Sequence, residues 1–265
     1  MKSRAASGGV AETIKTLVYA VVIAILIRTF FYEPFNIPSA SMVPTLLVGD
    51  YLFVSKFSYG YSRYSLPFGI PLIPGRIFFT SPQRGDVAVF KLPTNPSVDY
   101  IKRVIGLPGD KIQVIEGTVY INDQPTKRVR TEPFVNPDTF AETDRYIETL
   151  PNGHAHPILL ASRDYTVPPK RCDNAKDPRP ESDRFDFENT CPFLVPPGHY
   201  FMMGDNRDNS ADSRDPMSGV SYVPAENLVG RAEFIFFSTN GAARWWEVWN
   251  WPFTVRYDRL LSAIH

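Results

Sequence analysis

The sequence predicts a mainly β protein: an antiparallel β core with an inserted β-rich or irregular subdomain, and one amino-terminal transmembrane helix. Three observations predict it. The chain holds 25 prolines, 19 phenylalanines and 13 tyrosines, a composition that favours short strands and frequent turns over long helices. From residue 50 onward, apolar residues fall in short runs broken by Gly, Pro, Asn and Asp. A single long apolar run lies near the amino end.

Residues 1–12 are small and polar, read as a cytoplasmic terminus with Lys2 and Arg4 its only cations. From 13 to 31 the chain is apolar apart from Thr13, Lys15, Thr16, Arg28 and Thr29; as a helix this spans roughly 28 Å, close to the hydrocarbon thickness. The uninterrupted part, 17–27, also fits the apolar region of a cleavable leader, but bulky and charged Arg28-Thr-Phe-Phe-Tyr-Glu-Pro34 follows instead of a small-residue cleavage site. An uncleaved anchor is expected, with Arg28 snorkelling, Tyr32 at the interface, and Lys2, Arg4 and Lys15 holding the amino end in the cytoplasm. The remainder then lies on the outer face of a membrane.

Strands are expected at 50–56, 86–90 and 99–105, with 57–83, rich in Tyr, Gly and Pro, a hairpin extension of the 35–121 core. Lys111–Ile115 and Thr118–Ile121 flank Glu116-Gly117, a hairpin signal. Residues 122–198 carry many Pro, Asp and Arg and little periodicity, and read as an inserted subdomain. Cys172 and Cys191 both fall there; outside the cytosol they would pair, contributing on the order of 3 kcal/mol, and inside they would be free thiols. The core resumes over 199–265, with strands at 199–203 and 228–237, then a tail holding Trp245, Trp246, Trp249 and Trp251. Core packing and an interfacial belt both account for those tryptophans.

Composition excludes some functions. Lys plus Arg and Asp plus Glu are 28 each, so the basic excess of a nucleic-acid protein is absent. Two cysteines make no multi-cysteine metal site, and His154-x-His156 has no third ligand nearby. The acidic loop 204–215 resembles a calcium loop only loosely, since the sixth position from Asp205 or Asp208 is Ser210 or Ser213 rather than Gly. No metal or cofactor is expected.

Chemistry concentrates in three stretches. Phe35-Asn-Ile-Pro-Ser39-Ala-Ser41-Met-Val-Pro44 leaves the apolar run with two serines two residues apart. Pro38 and Pro44 oppose helix, and in an extended backbone both hydroxyls point one way. The plain alternative is a polar turn leaving an anchor. A nucleophilic serine needs a base, and none of the four histidines lies in a stretch that reads as a buried site. Lysine serves only when neutral; bringing its pKa from about 10.4 to about 7–8 takes roughly 4 kcal/mol of desolvation or cationic neighbours. Lys102 shares a strand face with Tyr100 and Val104, whereas Lys56, Lys91 and Lys111 lie at strand ends and Arg103 stays protonated. The plain reading of Lys102 is an edge-strand lysine that blocks aggregation. The third stretch, Gly204-Asp-Asn-Arg-Asp-Asn-Ser-Ala-Asp-Ser-Arg214, is a dense polar loop following directly on an apolar strand, suited to orienting a catalytic group.

PSASMVPTL (38–46), RGDVAVFK (84–91) with YIKRVIGLPGD (100–110), and GDNRDNSADSR (204–214) resemble, in their order, the motif boxes of type I bacterial signal peptidases. IRTFFYEPFNIPSASM and NLVGRA extend the likeness to about a third of the chain. The resemblance implies a mostly antiparallel β fold tethered by an amino-terminal helix, with Ser41 as nucleophile, Lys102 as general base, and Ser39 with the Ser41 N–H as oxyanion hole. Ser210 matches a serine that hydrogen-bonds the lysine; Asp205, Asp212 and Arg214 match its supporting shell; Phe35, Ile37, Met42, Tyr100 and Ile101 match positions lining substrate pockets. Ala40 stands where Gly is frequent, and neither the cysteine spacing nor the tryptophan tail aligns. The implied partners are exported preproteins with small residues at −3 and −1, and membrane lipid, for a monomer in the bacterial plasma (inner) membrane whose catalytic domain faces the periplasm. Two other classes fit the same residues: a Ser/Lys peptidase acting on itself or a regulator, and a non-catalytic envelope protein binding extended peptides.

Overall fold

The computed structural model describes residues 9–66, 69–161, 172, 186–243, 246, 247 and 249–265. Trp245 of the tail lies outside the described residues. One helix, Gly9–Phe30, runs 22 residues, about 33 Å, and starts four residues before the apolar run. It is long and apolar enough to cross a membrane and is hardly buried by the rest of the chain. Its end is tied to the β region without a linker. The Lys56 N–H donates to the Phe31 carbonyl at 2.9 Å, Tyr61 Oη to the Phe30 carbonyl at 2.8 Å, and Glu33 accepts from both Arg28 and Lys56.

The main sheet is antiparallel, in the order Tyr32–Asn36, Asp50–Ser55, Leu228–Ser238, Val87–Leu92, Asn95–Gly106, His199–Met203, Tyr222–Pro224; Ser262–Ala263 adds to Leu228–Ser238. Pro34 is tolerated because its strand is an edge. Alternate residues fill the interior: Leu52 and Val54, Val87 and Val89, and Val229 pack with Ile37, Met42 and Leu46. A second cluster, with Phe90, Val104, Tyr200 and Met202, takes the alternate residues on the opposite face.

A four-stranded sheet, Phe193–Leu194, Lys111–Ile115, Thr118–Ile121 and Gln124–Pro125, packs Ile112, Val114, Val119 and Ile121 against Ile105 and Phe201. Its central hairpin turns where the sequence signals it, with Glu116 and Gly117 at φ 48° and 70°. Residues 122–198 therefore contribute strands to this sheet at both ends. Between them lie a three-stranded sheet of Lys127–Arg130, Arg145–Thr149 and Ala155–Leu159, and a short pair, Phe134–Val135 with Glu142–Thr143. Cys172 and Cys191 form a disulfide, their Cα atoms 5.4 Å apart. Among the described residues of the 57–83 extension, the paired strands are Tyr61–Ser62 and Arg76–Ile77.

Candidate active site

Ser41 is reached by a turn, not by the extended backbone that its flanking prolines suggest. Ser39 is extended (φ −131°, ψ 156°), but Ala40–Met42 is one turn of 3-10 helix closed by Val43 N–H donating to the Ala40 carbonyl at 3.1 Å. Pro44 lies past that turn and so does not oppose it. The turn still brings the two hydroxyls together, Ser39 Oγ 3.4 Å from Ser41 Oγ. Ser39 is exposed and Ser41 buried.

Lys102 stands on the Asn95–Gly106 strand, which continues past the end of its neighbour: His199–Met203 pairs only with 103–106. Its Nζ lies 2.7 Å from Ser41 Oγ, 3.0 Å from the Ile101 carbonyl, and 5.3 Å from the centre of the Tyr100 ring. The residue is 3 % exposed. Burial pushes its pKa down to about 8; Asp212 and Asp205 pull the other way, and Arg214 adds to the lowering. Lys102 Nζ donates to the Ile101 carbonyl and to Ser41 Oγ.

The 204–214 loop supplies the surroundings. A β-carbon at Gly204 would sit 2.2 Å from Ser210 Oγ and 2.5 Å from the Ser41 carbonyl oxygen, so only glycine fits the approach. The Asn206 N–H donates to the Ser41 carbonyl and its side-chain amide to the Ala40 carbonyl, each at 3.1 Å. Asp212 accepts from Arg214 Nε at 2.9 Å, Arg214 Nη2 at 2.8 Å and Gly204 N–H at 3.0 Å. Burial alone would raise the Asp212 pKa, but Arg214 and these bonds hold it below the ordinary value. Among the described residues Ser210 Oγ makes no hydrogen bond, to Lys102 or otherwise, and its approach to Asp212 favours the ionised carboxylate.

Asp205 is buried against Arg103, which binds it in bidentate fashion at 2.8 and 2.7 Å, while Thr45 Oγ1 donates at 2.5 Å. Arg103 is fully buried and points away from Lys102, consistent with strand alternation. Its role as the anchor of Asp205 is not legible in sequence, where adjacent Lys and Arg read as exposed. The histidine reading needs correction: His156 is 1 % exposed, its Nε2 3.4 Å from Glu148 and 4.0 Å from Asp205. Strand pairing of Ala155–Leu159 draws it inward from what looks like a Pro/Gly loop.

Among the pocket-lining candidates, Ile37 and Met42 are buried in one apolar cluster, with Phe35 and Ile101 half-buried against it. Tyr100 packs into the neighbouring cluster, beside Phe90. Among the described strands, the outer edge of Tyr32–Asn36 and that of residues 95–102 of the Lys102 strand are unpaired. A peptide could add there as a strand. Cys191 lines a cavity of about 220 Å³ together with Ser213 and Arg214.

Known proteins resemble this chain over most of its length. A family model described as signal peptidase, peptidase S26, matches residues 10–237. The signal peptidase I of Rickettsia conorii (strain ATCC VR-613 / Malish 7) is 44 % identical over 231 residues, 86 % of this chain and 79 % of that protein. That of Rickettsia typhi (strain ATCC VR-144 / Wilmington) is 42 % identical over 240 residues, 90 % and 83 % of the two chains. A crystal structure of a signal peptidase I from Enterococcus faecalis V583 covers 57 % of this chain and 97 % of its own, at 24 % identity and a TM-score of 0.29, too low to bear on the fold. With most of its length matched by the family model and by relatives above 40 % identity, this chain belongs to the signal peptidase family, peptidase S26.

Proposed function

We propose that the protein is a membrane-anchored serine endopeptidase that removes signal peptides from exported preproteins, with Ser41 as nucleophile and neutral Lys102 as general base. The observation that carries this reading is the 2.7 Å contact between Ser41 Oγ and an amine buried to 3 % exposure. The amine takes the Ser41 proton as Oγ attacks the scissile carbonyl, then delivers it to the leaving amine; water hydrolyses the resulting ester by the same route. Ser39 Oγ and the Ser41 N–H stabilise the oxyanion, an effect typically worth about 2.7–4 kcal/mol. Phe35, Ile37, Met42 and Ile101 share one apolar cluster, which suits small apolar side chains at −3 and −1. No cofactor enters this chemistry.

Membrane attachment is supported by the apolar Gly9–Phe30 helix. Rings of Tyr32, Phe53, Phe57, Phe234 and Phe236 contact one another along the strands beside its end. Trp246, Trp249, Trp251 and Phe253 are exposed, which favours an interfacial role for the tail over core packing. The catalytic domain then faces the periplasm, where the disulfide persists. Cleavage of a preprotein by wild type, Ser41→Ala and Lys102→Met in detergent tests the dyad: each substitution is expected to reduce kcat by at least about 10³-fold, and wild-type rates in either variant would refute the assignment.

A further inference from the structure

Glu148 lies in the insert, far in sequence from every motif stretch, yet its carboxylate sits under the 204–214 loop. It is wholly buried, on the Arg145–Thr149 strand. Arg207, 2 % exposed, binds it with both terminal nitrogens, one at 3.1 Å and the other closer. Thr126 Oγ1 donates to the same carboxylate at 3.1 Å. Burial opposes its ionisation, but Arg207 and His156 hold the group ionised, well below the usual carboxylate range.

Arg207 is a junction in the loop. Its N–H donates to the Leu159 carbonyl at 2.9 Å, and Leu159 N–H to the Asp205 carbonyl at 2.9 Å, so the insert's Ala155–Leu159 strand also pairs with the loop. The Arg207 carbonyl accepts from Arg214 Nη2 at 2.7 Å, and Arg214 holds Asp212. The preceding residue, Asn206, holds the carbonyls of Ala40 and Ser41. Contacts thus run from Glu148 through the loop to the backbone of Ser41 and to Asp212, whose charge acts on Lys102.

We propose that Glu148 is a positioning residue for the peptidase reaction: it clamps Arg207 from the insert and so holds the 204–214 loop in register with Ser41 and Lys102. The insert is then part of the catalytic machinery's support. Loss of the carboxylate leaves a buried guanidinium unpaired, and Arg207 must leave the interior and drag the loop with it. The charged groups facing Lys102 are Asp212, Asp205 and Arg214, and all three hang on that loop. Since burial is the largest influence on the amine, a slack loop admits water and returns the amine toward its ordinary affinity for protons.

This inference rests on the Ser/Lys reading above. The test uses the full chain in detergent micelles with a signal-peptide substrate, measuring kcat and KM from pH 6 to 10. Wild type, Glu148→Gln and the paired variant Glu148→Leu with Arg207→Met are compared, with rates expressed per folded molecule from near-ultraviolet circular dichroism. The paired variant removes both charges, so it is spared an orphaned ion. Both variants are expected to lose about 100-fold in kcat with KM nearly unchanged, and their acid limb should move to higher pH. Wild-type kcat with an unmoved limb in either variant, once corrected for folded fraction, would overturn the proposal. Failure of the dyad reading is separable, because it appears in the controls: a wild type with no acid limb, or an active Lys102→Met.

Discussion

At the scale of single residues, the chemistry depends on one amine being dry. With its pKa pushed down to about 8 by burial, Lys102 is roughly one-tenth neutral at pH 7, against about one in 2,500 for an ordinary lysine. On the mechanism proposed above the neutral form is the base, so lowering pH removes activity. kcat/KM is expected to fall about tenfold per pH unit below pH 8, reaching about a hundredfold by pH 6. An acid limb near pH 4 would indicate a carboxylate base instead. Gly204 tests the approach of the loop. Gly204→Ala places a methyl within 2.2 Å of Ser210 Oγ and 2.5 Å of the Ser41 carbonyl, so the loop must retreat. A loss of about 100-fold in kcat is expected, read with the same preprotein assay; an alanine variant of full activity would show that the loop tolerates the shift.

At the scale of elements, what was legible in sequence follows from how each segment is buried. Strands with one buried face alternate, and Lys111–Ile115 and Thr118–Ile121 appear where the alternation places them. The core strands are recovered to within a few residues at each end. The insert's strands are not legible, because they are two to five residues long and carry charge on the outward face, as in Lys127–Arg130. Ser41 and Lys102 could be singled out by residue type and face, and the structure brings them into contact. Glu148, His156 and Arg103 could not, because buried ion pairs join segments far apart in the chain and leave no periodic mark. The Arg103–Asp205 pair shows what such a mark hides. Arg103→Met would leave Asp205 buried without its cation, and a loss of about 3–5 kcal/mol is expected in urea unfolding. A change below about 1 kcal/mol would mean that Thr45 alone suffices.

At the scale of the whole molecule, the interior divides into the apolar clusters of the two larger sheets, with the ionic layer of Arg103, Asp205, Arg207 and Glu148 at their junction with the insert. The Cys172–Cys191 bond closes a loop of 18 intervening residues, outside the dyad. Replacing both cysteines by serine should lower stability by on the order of 3 kcal/mol, seen as a lower denaturation midpoint. Activity of the folded fraction is expected to stay at the wild-type level.

The join between helix and sheet has a consequence of its own. Glu33 bridges Arg28, on the last helical turn, and Lys56, which is buried beside the first hairpin, and both cations hold its carboxyl below the ordinary range against the effect of burial. With Phe30 and Phe31 also bonded to that region, no swivel separates anchor from blade. If the helix stands in a bilayer, Ser41 is fixed at one altitude above it. Such a rigid mount works as a gauge: it selects polypeptides whose bond reaches that level and passes over sites lying nearer to or farther from the lipid.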